Sequence, residues 1–434
     1  MKKTFVIAGL FALALPTVAL ANDDISARFL TTQQRIAAAE QQALAEQQAL
    51  TELLTSVAVD TSYPLTAQQV IDLIGVGWNL GNTLDAHPHG DTTYMGPDVD
   101  LYTLETLWGN PVTTFENLQT VRAAGFNTIR IPVTWYNKLY DWNEFGDPVE
   151  IREDWMDRVQ EVVDWAMELG FITILNMHHD ERLLDLFDDQ IDTSVANLVA
   201  LWEQIGERFA TYNHLLIFEG MNEPRTIGSP AEWGGGTEEE RHNVNVLNQA
   251  FVDTIRAQGG NNPTRVLMVP TYAAAVLPVT IDDFVLPADP TNEAGKLIVS
   301  AHMYAYWLFA LDLNPDNLLR TFDPENPADT GPITWGLGLL YDAFVSQGIP
   351  VIMGESAAIN RGSEYTAYRV AWTQFYLAEA TARNIPFVWW DNGRWDGASL
   401  TWEDGDFFGI LDRETNTWAF PEIVEALVAD GRSR

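Results

Sequence analysis

The 434-residue sequence contains no cysteine. Disulfides are therefore excluded as a source of stability, whatever the redox state of the compartment. A large apolar core must stabilise the fold instead. A hydrophobic content of 47%, with 16 tryptophans, permits such a core.

Basic residues are scarce relative to acidic ones. Lys and Arg total 24 against 61 Asp and Glu, which gives a formal net charge of −37. This charge disfavours binding to nucleic acid, to anionic membrane surfaces and to acidic polysaccharides, because like charges repel. A neutral polysaccharide is compatible with it. We also expect salt to relieve the self-repulsion of so acidic a chain.

Long hydrophobic runs are absent after the first 21 residues. Residues 1–21 have the form of a secretory signal peptide: Lys2 and Lys3 come first, an apolar stretch follows over 5–15, and Ala19-Leu20-Ala21 fits a cleavage site. No later run approaches the ~20 apolar residues that a membrane-spanning helix needs. We therefore expect cleavage of residues 1–21, a secreted or periplasmic protein, and no membrane insertion of the mature chain.

Residues 22–64 lack glycine and tryptophan, and they are rich in Ala, Gln, Glu and Leu, which favour helices. Apolar residues recur at seven-residue intervals from Phe29 to Val57. A coiled coil needs a second apolar position in each heptad, and only half of the residues at that position are apolar. Three interpretations stay open: a helical extension that serves as a spacer, which we favour, an oligomerising coiled coil over 24–57, and a segment whose Phe29, Ile36 and Leu50 pack on the main domain. Pro64 marks its expected end, and 65–434 form the predicted main domain.

From Leu65 onward, apolar strand-like runs alternate with helical patterns. The eight predicted strands are 75–82, 126–135, 171–178, 215–222, 265–270, 296–304, 350–355 and 386–391. The clearest helical patterns lie at 155–169, 195–211, 239–258, 337–347 and 364–383. This alternation predicts an α/β fold, a (β/α)8 TIM barrel. The tail, 409–430, is predicted to close the bottom of the barrel.

Polar and aromatic residues interrupt the apolar runs at the C-terminal ends of seven strands, where barrel enzymes carry their active sites. In chain order they are Asn82, Asp85, Arg130, His178, His179, Asn222, Glu223, His302, Tyr304, Glu355, Trp389 and Trp390. A carboxylate at the end of a buried strand is costly unless it is used or paired. Pro224 is predicted to end strand four beside Glu223, and Glu355 ends strand seven. Two such glutamates are what a retaining glycosidase needs.

Eight short motifs strengthen this interpretation. They are Gly77-Trp-Asn-Leu-Gly-Asn-Thr-Leu-Asp-Ala86, Leu107-Trp-Gly-Asn-Pro111, the Arg130 strand, Asn176-Met-His-His-Asp180, Asn222-Glu-Pro224, His302-Met-Tyr304, Gly354-Glu-Ser356 and Trp389-Trp-Asp-Asn-Gly393. Together, over about 65–427, the chain resembles glycoside hydrolase family 5, a group of retaining β-glycanases. The first two motifs are most similar to its endoglucanase and xyloglucanase branch. The resemblance implies an endo-β-1,4-glucanase that needs no cofactor and no metal. A xyloglucanase, a lichenase and a β-mannanase are the alternatives within this class.

The resemblance also implies roles for the two glutamates. The glutamate of the Asn-Glu-Pro motif, Glu223, is the expected acid/base, and Glu355 is the expected nucleophile. A nucleophile must stay ionised, and Arg130 and Tyr304 are the candidates that stabilise its charge. His302 is expected to hydrogen-bond Glu223.

Other residues are expected to bind the neutral β-glucan. Asn222 is expected to hold the sugar 2-hydroxyl, and His178 and His179 to orient groups at the scissile bond. Trp390 is expected to stack on a sugar face, with Trp389 as the alternative for that place. Trp108 is expected to line a further subsite.

Several of these residues, and the barrel itself, have competing interpretations. Glu219 alternates onto the same face as Glu223, but it lies too deep for substrate and is expected to be a structural partner of Arg130. The run His178-His179-Asp180 suggests a metal site, yet adjacent residues of a strand point to opposite faces, which disfavours shared ligation. A non-catalytic carbohydrate-binding barrel is disfavoured because both glutamates are present. A phosphate-handling barrel is disfavoured because no Gly-rich cradle follows strands seven and eight.

Overall fold

The computed structural model describes residues 64–88, 98–140, 149–289, 295–401 and 403–429. The predicted signal peptide, 1–21, and the predicted extension up to residue 63 lie outside the described residues. All three interpretations of the extension therefore stay predictions.

Eight parallel strands form a closed barrel. They are β1 (Val76–Leu80), β2 (Thr128–Ile131), β3 (Ile172–Asn176), β4 (Leu216–Glu219), β5 (Leu267–Ala275), β6 (Leu297–His302), β7 (Val351–Ser356) and β8 (Phe387–Asp391). Each strand pairs with the next along the chain, and β8 returns to pair with β1. The predicted (β/α)8 barrel is thus confirmed.

Helices alternate with the strands along the chain. They are α1 (Ala67–Leu73), α2 (Leu101–Glu105), α3 (Phe115–Ala123), α4 (Glu153–Glu168), α5 (Ile191–Arg208), α6 (Glu238–Arg256), α7 (Pro278–Asp282), α8 (Trp307–Ala310), α9 (Pro327–Ala343), α10 (Thr366–Ala382) and α11 (Pro421–Ala429). Thr114 and Thr237 begin α3 and α6 with capping boxes, which satisfy N–H groups that have no partner within the helix. Within the described ranges, no helix is both long enough and apolar enough to cross a membrane.

The inside of the barrel changes from apolar to polar along the strands. Its lower part, towards the N-terminal ends of the strands, is a buried aliphatic cluster to which the six strands β3 to β8 contribute, with residues such as Ile174, Ile217 and Met268. One or two inward positions further along the strands, the side chains are polar, including Asn79, Arg130, Asn176, Glu219 and Ser300, and all five are fully buried. Because strands alternate their faces, this polar layer lies directly below the strand ends.

The lower end of the barrel is closed by α1, which the sequence analysis did not predict. Val70, Ile71 and Ile74 are fully buried in the same aliphatic cluster as the lower strand residues. Thr66 and Gln69 form the capping box that begins α1. Lys296, just before β6, donates a hydrogen bond to the carbonyl of Leu65.

The prediction that the tail closes the barrel bottom is therefore wrong. After β8 the chain forms a small hairpin, β9 (Leu411–Asp412) with β10 (Thr417–Trp418), and then α11. Trp418 stacks on Phe126 outside the barrel, with 5.9 Å between ring centroids. Asp391 Oδ2, at the end of β8, accepts hydrogen bonds from Trp78 Nε1 of β1 and from the backbone N–H groups of Ile410 and Leu411. The tail thus fastens the seam between β1 and β8.

Three strands differ from the predicted bounds in ways that affect the site. β2 ends at Ile131 because Pro132 has no N–H to continue the ladder. β4 ends at Glu219, so Pro224 does not end it as predicted. β5 runs on to Ala275 through an irregular register, in which Ala273 and Ala274 adopt left-handed backbone conformations.

Candidate active site

Two carboxyl groups face each other above the polar layer. Glu355 belongs to β7, whereas Glu223 lies four residues beyond the last residue of β4. A carboxylate oxygen of Glu223, one of Glu355 and a ring nitrogen of His302 all lie within 4.8 Å of one another. The side chains of Glu223 and Glu355 are 14% and 6% exposed, so both are nearly removed from solvent.

Arg130 connects this pair to the barrel. Its Nη1 lies 2.6 Å from Glu355 Oε1, and its Nε lies 2.7 Å from Glu219 Oε2. Its Nη2 donates to Asn222 Oδ1 at 2.7 Å. Glu219 also accepts a hydrogen bond from Ser300 in the polar layer, which places it as the buried structural partner expected from the sequence. Arg130 is completely buried, and attraction to both carboxylates outweighs burial and raises its pKa.

Tyr304 completes the surroundings of Glu355. Its hydroxyl donates to Glu355 Oε2 at 3.1 Å. Burial raises the pKa of Tyr304, and the Glu355 charge raises it further, so the phenol stays a hydrogen-bond donor. Burial also raises the pKa of Glu355, while His302 and Arg130 oppose that rise. Arg130 carries its charge at every relevant pH and lies against Glu355, so Glu355 has a permanent counter-ion.

His302 contacts Glu223 directly. His302 Nδ1 lies 2.8 Å from Glu223 Oε1, whereas His302 Nε2 is buried and has no hydrogen-bond partner among the described residues. An ionised carboxylate only accepts hydrogen bonds, so His302 donates through Nδ1 to Glu223. Burial alone would raise the pKa of Glu223, but the hydrogen bond and charge of His302 lower it overall.

The two adjacent histidines both line the cleft, contrary to the expectation that they point to opposite faces. β3 ends at Asn176, so the alternation rule no longer applies at His178 and His179, whose ring centroids are 4.4 Å apart. Asn176 Nδ2 lies 3.0 Å from His178 Nδ1, which places the ring proton on Nε2, 3.9 Å from Glu355 Oε1. Burial lowers the pKa of both histidines, so both rings are neutral hydrogen-bonding groups.

A cleft of about 1070 Å³ opens above these groups. Ten of the predicted residues line it: Asn82, Trp108, His178, His179, Asn222, Glu223, His302, Tyr304, Glu355 and Trp390. Trp390 stacks parallel on His178, with 5.7 Å between ring centroids. A Cβ on Gly81 would come within 2.8 Å of the Trp390 ring, so this glycine makes room for that ring.

Three residues expected at the site do not line the cleft: Arg130, which acts from the polar layer through its contact with Glu355, and Trp389 and Asp85. Trp389 is fully buried, points away from the barrel interior and packs on Trp372, because adjacent residues of β8 face opposite sides. It is a core residue and no alternative to Trp390. Asp85 is also fully buried, and its two oxygens accept the backbone N–H groups of Asn82 and Thr83. Burial raises the pKa of Asp85 to about 6. Its role is to shape the loop that carries Asn82.

Two groups of described side chains are close enough to share an ion: Asp85 with His178 and His179, and Glu223 with His302 and Glu355. In the first group, both Asp85 oxygens already accept backbone hydrogen bonds. In the second, Arg130 and His302 already contact the carboxylates. These geometries suit sugar binding and proton transfer better than ligation of a cation.

Several cleft residues were not identified from the sequence. Trp233 and Trp307 line the cleft and are 59% and 51% exposed. Arg394, Asp406 and Phe408 line it after β8. All of them lie outside the strands, where no periodic pattern marks a functional side chain. Arg225 follows the Asn-Glu-Pro motif directly, and its position in the sequence was the one signal that could have drawn attention to it.

A barrel whose strand ends bring together two buried carboxyl groups, one against a fixed arginine, defines the class of carboxylate-pair glycoside hydrolases. Comparison with known proteins supports this class. The family model for cellulase, glycosyl hydrolase family 5, matches residues 92–396. The chain therefore belongs to glycosyl hydrolase family 5.

Individual relatives support the same family assignment. Endoglucanase B of Neocallimastix patriciarum is 38% identical over 364 residues, which cover 84% of this chain and 72% of that protein. Among solved structures, a GH5-4 broad specificity endoglucanase from Ruminococcus champanellensis with bound cellotriose is 42% identical, with a TM-score of 0.76, covering 84% of this chain and 99% of that one. A xyloglucan-specific endo-β-1,4-glucanase from a metagenomic library, in complex with cellotriose, is 36% identical, with a TM-score of 0.72, covering 83% of this chain and 97% of that one.

Proposed function

We propose that this protein is a retaining endo-β-1,4-glucanase that hydrolyses internal bonds of a neutral β-glucan by double displacement. The observation that carries the proposal is the separation of the two carboxyl groups. Oxygens of Glu223 and Glu355 lie within 4.8 Å of each other. Retaining glycosidases hold their carboxyl groups about 5–5.5 Å apart, whereas inverting enzymes need about 6.5–9.5 Å to admit a water molecule.

In the first step, Glu355 attacks the anomeric carbon while Glu223 protonates the departing glycosidic oxygen. The fixed charge of Arg130 and the hydroxyl of Tyr304 keep Glu355 ionised. Glu223 has His302 in place of a permanent counter-ion at hydrogen-bond distance, and a bound sugar ring excludes water from it. Burial and the neighbouring charge of Glu355 favour the protonated form of Glu223, and a dry cleft strengthens both effects. In the second step, Glu223 takes a proton from a water molecule whose oxygen attacks the anomeric carbon, and the bond between that carbon and Glu355 breaks, which leaves Glu355 as a carboxylate again.

The remaining cleft residues position the sugar chain. Asn222 uses its amide oxygen to accept from Arg130, which leaves its NH₂ group to donate to the 2-hydroxyl. Trp390 offers an aromatic face beside His178, which suits the C–H face of a pyranose. His179, Asn82 and Trp108 would contact further sugar hydroxyls or rings along the same cleft.

The preferred glucan is part of the proposal. One relative is described as a broad specificity endoglucanase and another as xyloglucan-specific, and both were solved with cellotriose. We propose unbranched β-1,4-glucan as the principal substrate, with xyloglucan as the second candidate. Initial rates on unbranched β-1,4-glucan, mixed-linkage glucan, xyloglucan and mannan would rank them. Faster hydrolysis of xyloglucan than of unbranched glucan would reverse our order.

We also propose export of the protein, by cleavage after Ala21, to the periplasm or the outside. The basic start, short apolar stretch and small residues at 19–21 support it. N-terminal sequencing of the protein recovered from culture medium or periplasm would test the site. A mature chain that still began at Met1 would contradict it.

The mechanism is tested by replacing each glutamate. Glu355→Gln should abolish turnover of every substrate, because no nucleophile remains. Glu223→Gln should lose roughly 10²–10⁴-fold on natural glucans, yet retain rapid glycosylation by aryl glycosides with good leaving groups, which need little acid assistance. Glu325→Gln, an exposed change away from the cleft, serves as the control. Proton NMR of the first product should show the β-anomer, and inversion would contradict the mechanism.

A further inference from the structure

Trp233 is an exposed aromatic residue of the cleft whose ring rests on a cation. It is 59% exposed, and it lines the same cleft as Glu223. Its ring packs against Arg225, whose guanidinium carbon lies 4.5 Å from the ring centroid. One face of the indole is therefore supported by a cation while much of the ring remains open to solvent.

Arg225 is itself held firmly. Its side chain is 11% exposed, and it forms ion pairs with Glu181 at 2.8 Å and with Glu232 at 3.1 Å. It also donates to the carbonyl of Glu223 at 2.9 Å and lies 3.6 Å from Glu223 Oε2. Glu232 in turn accepts the backbone N–H of Gly228, which braces the loop that leads to Trp233.

We propose that Arg225 is a positioning residue that joins the acid/base to a sugar-stacking platform on the leaving-group side of the scissile bond. The guanidinium sets the position and charge environment of Glu223, and it supports the Trp233 ring on which the departing sugar stacks. The inference rests on the proposed function, because it requires Glu223 to protonate the leaving group. Arg225 and Trp233 follow Glu223 on the same loop, whereas Trp390 lies with His178 beside Glu355.

The charges around Glu223 give the proposal a directional test. The groups that act on it are His302, Arg130, Glu355, Tyr304, Arg225 and Glu181. Arg225 is positive and lowers the pKa of Glu223. Glu181 is a neighbouring carboxyl that pairs with Arg225, so in its ionised form it offsets part of that effect. Removing the two members of this pair should therefore shift the acid/base in opposite directions.

The first experiment measures pH profiles of kcat/KM on cello-oligosaccharides. Arg225→Met should move the alkaline limb to higher pH and lower kcat/KM roughly tenfold, while Arg225→Lys should restore the limb in part. Glu181→Gln should move the same limb to lower pH. An aryl cellobioside with a good leaving group should show much smaller losses. A loss of activity with alkaline limbs that do not move, or that move in the same direction, would overturn the positioning role. If Arg225→Met does not fold, Arg225→Lys and Glu181→Gln still decide the question.

The second experiment tests the platform. Trp233→Ala should raise KM roughly fivefold to tenfold for oligosaccharides that extend past the scissile bond, and it should shift which bond is cleaved. Trp335→Ala is the matched control, because Trp335 on α9 is 54% exposed and does not line the cleft. Equal effects of the two changes, or no effect of Trp233→Ala in an active enzyme, would overturn the inference. An inactive wild-type protein would instead contradict the proposed function.

Discussion

Arg130 Nη1 lies 2.6 Å from Glu355 Oε1, and the side chains of both residues are almost or wholly shielded from water. The same guanidinium also contacts Glu219 at 2.7 Å, so one arginine pairs with a carboxylate in the barrel and with a carboxylate in the cleft. Its charge therefore contributes both to the stability of the fold and to the chemistry of the cleft.

Arg130→Ala should shift the acid limb of the activity profile to higher pH. Burial already raises the pKa of Glu355, and Arg130 opposes that rise, so removing Arg130 raises the pKa further. Because the nucleophile must be ionised, activity then begins at a higher pH. The substitution should also destabilise the fold by about 3–5 kcal/mol, since buried charges lose their partner.

Arg130→Lys is the control, because it keeps a charge but not the fork that reaches both carboxylates. It should retain most of the acid limb. A large fall in melting temperature with an unchanged acid limb in Arg130→Ala would assign Arg130 a structural role alone.

The adjacent tryptophans of β8 should respond in opposite ways to truncation. Trp390→Ala should mainly raise KM or lower kcat, since Trp390 lines the cleft. Trp389→Ala should mainly lower stability, by about 3–5 kcal/mol, since it empties a large fully buried site. Steady-state kinetics and chemical denaturation of both variants test this contrast. Equal kinetic losses in two equally stable variants would contradict it.

Asp180→Asn should reduce the pH dependence of stability between about pH 4 and 7. Asp180 Oδ1 accepts the N–H groups of Trp135 and Tyr136, whereas Oδ2 is buried and has no hydrogen bond within the part of the chain that the structure describes. Burial raises its pKa to about 7. The folded state therefore holds a proton that the unfolded state releases near pH 4, and the stability this provides is lost as pH rises through about 7.

Asparagine carries no such titration and keeps the accepting oxygen. The melting temperature of Asp180→Asn relative to the wild type should thus rise from pH 4 to pH 8. Asp189→Asn, at an exposed position, is the control and should show a flat difference. A difference that falls with pH would contradict the assigned direction.

Removal of residues 1–63 should leave turnover of soluble β-glucan unchanged, because the barrel closes with α1 and every cleft residue follows it. The spacer interpretation expects equal mass per particle in both forms, whereas the coiled-coil interpretation expects only the longer form to oligomerise. Light scattering separates them. Removal of residues 1–74, which also deletes α1, is the contrasting variant and should destabilise the barrel by exposing its apolar lower layer. A 64–434 protein that melts several degrees lower would contradict our preference for a spacer.

Much of the fold follows from local patterns. Apolar runs that alternate with 3.6-residue periodicity predict the barrel, and polar residues at strand ends point to Glu223, Glu355 and Arg130. The role of α1 does not follow, because its seven residues carry too short a pattern to distinguish a helical plug from a loop.

The direction in which a side chain points is the second feature that the sequence does not predict. Trp389 and Trp390 are chemically identical neighbours, and only the pairing of β8 with β1, which sets Trp389 opposite Trp78 and Trp390 opposite Asn79, decides which one faces inward. The roles of Arg225 and Trp233 could not be predicted from the sequence either. The loop that carries them is folded by its own ion pairs and has no periodic pattern.

The seam between β1 and β8 has a consequence for how the chain reaches its native state. Trp78 and Asp391 are separated by 313 positions in sequence, so their hydrogen bond is among the last that a growing chain can form. Until β8 is present to pair with β1, the barrel has open edge strands that can pair with other chains. Premature termination before β8 should therefore yield aggregation rather than a smaller folded protein.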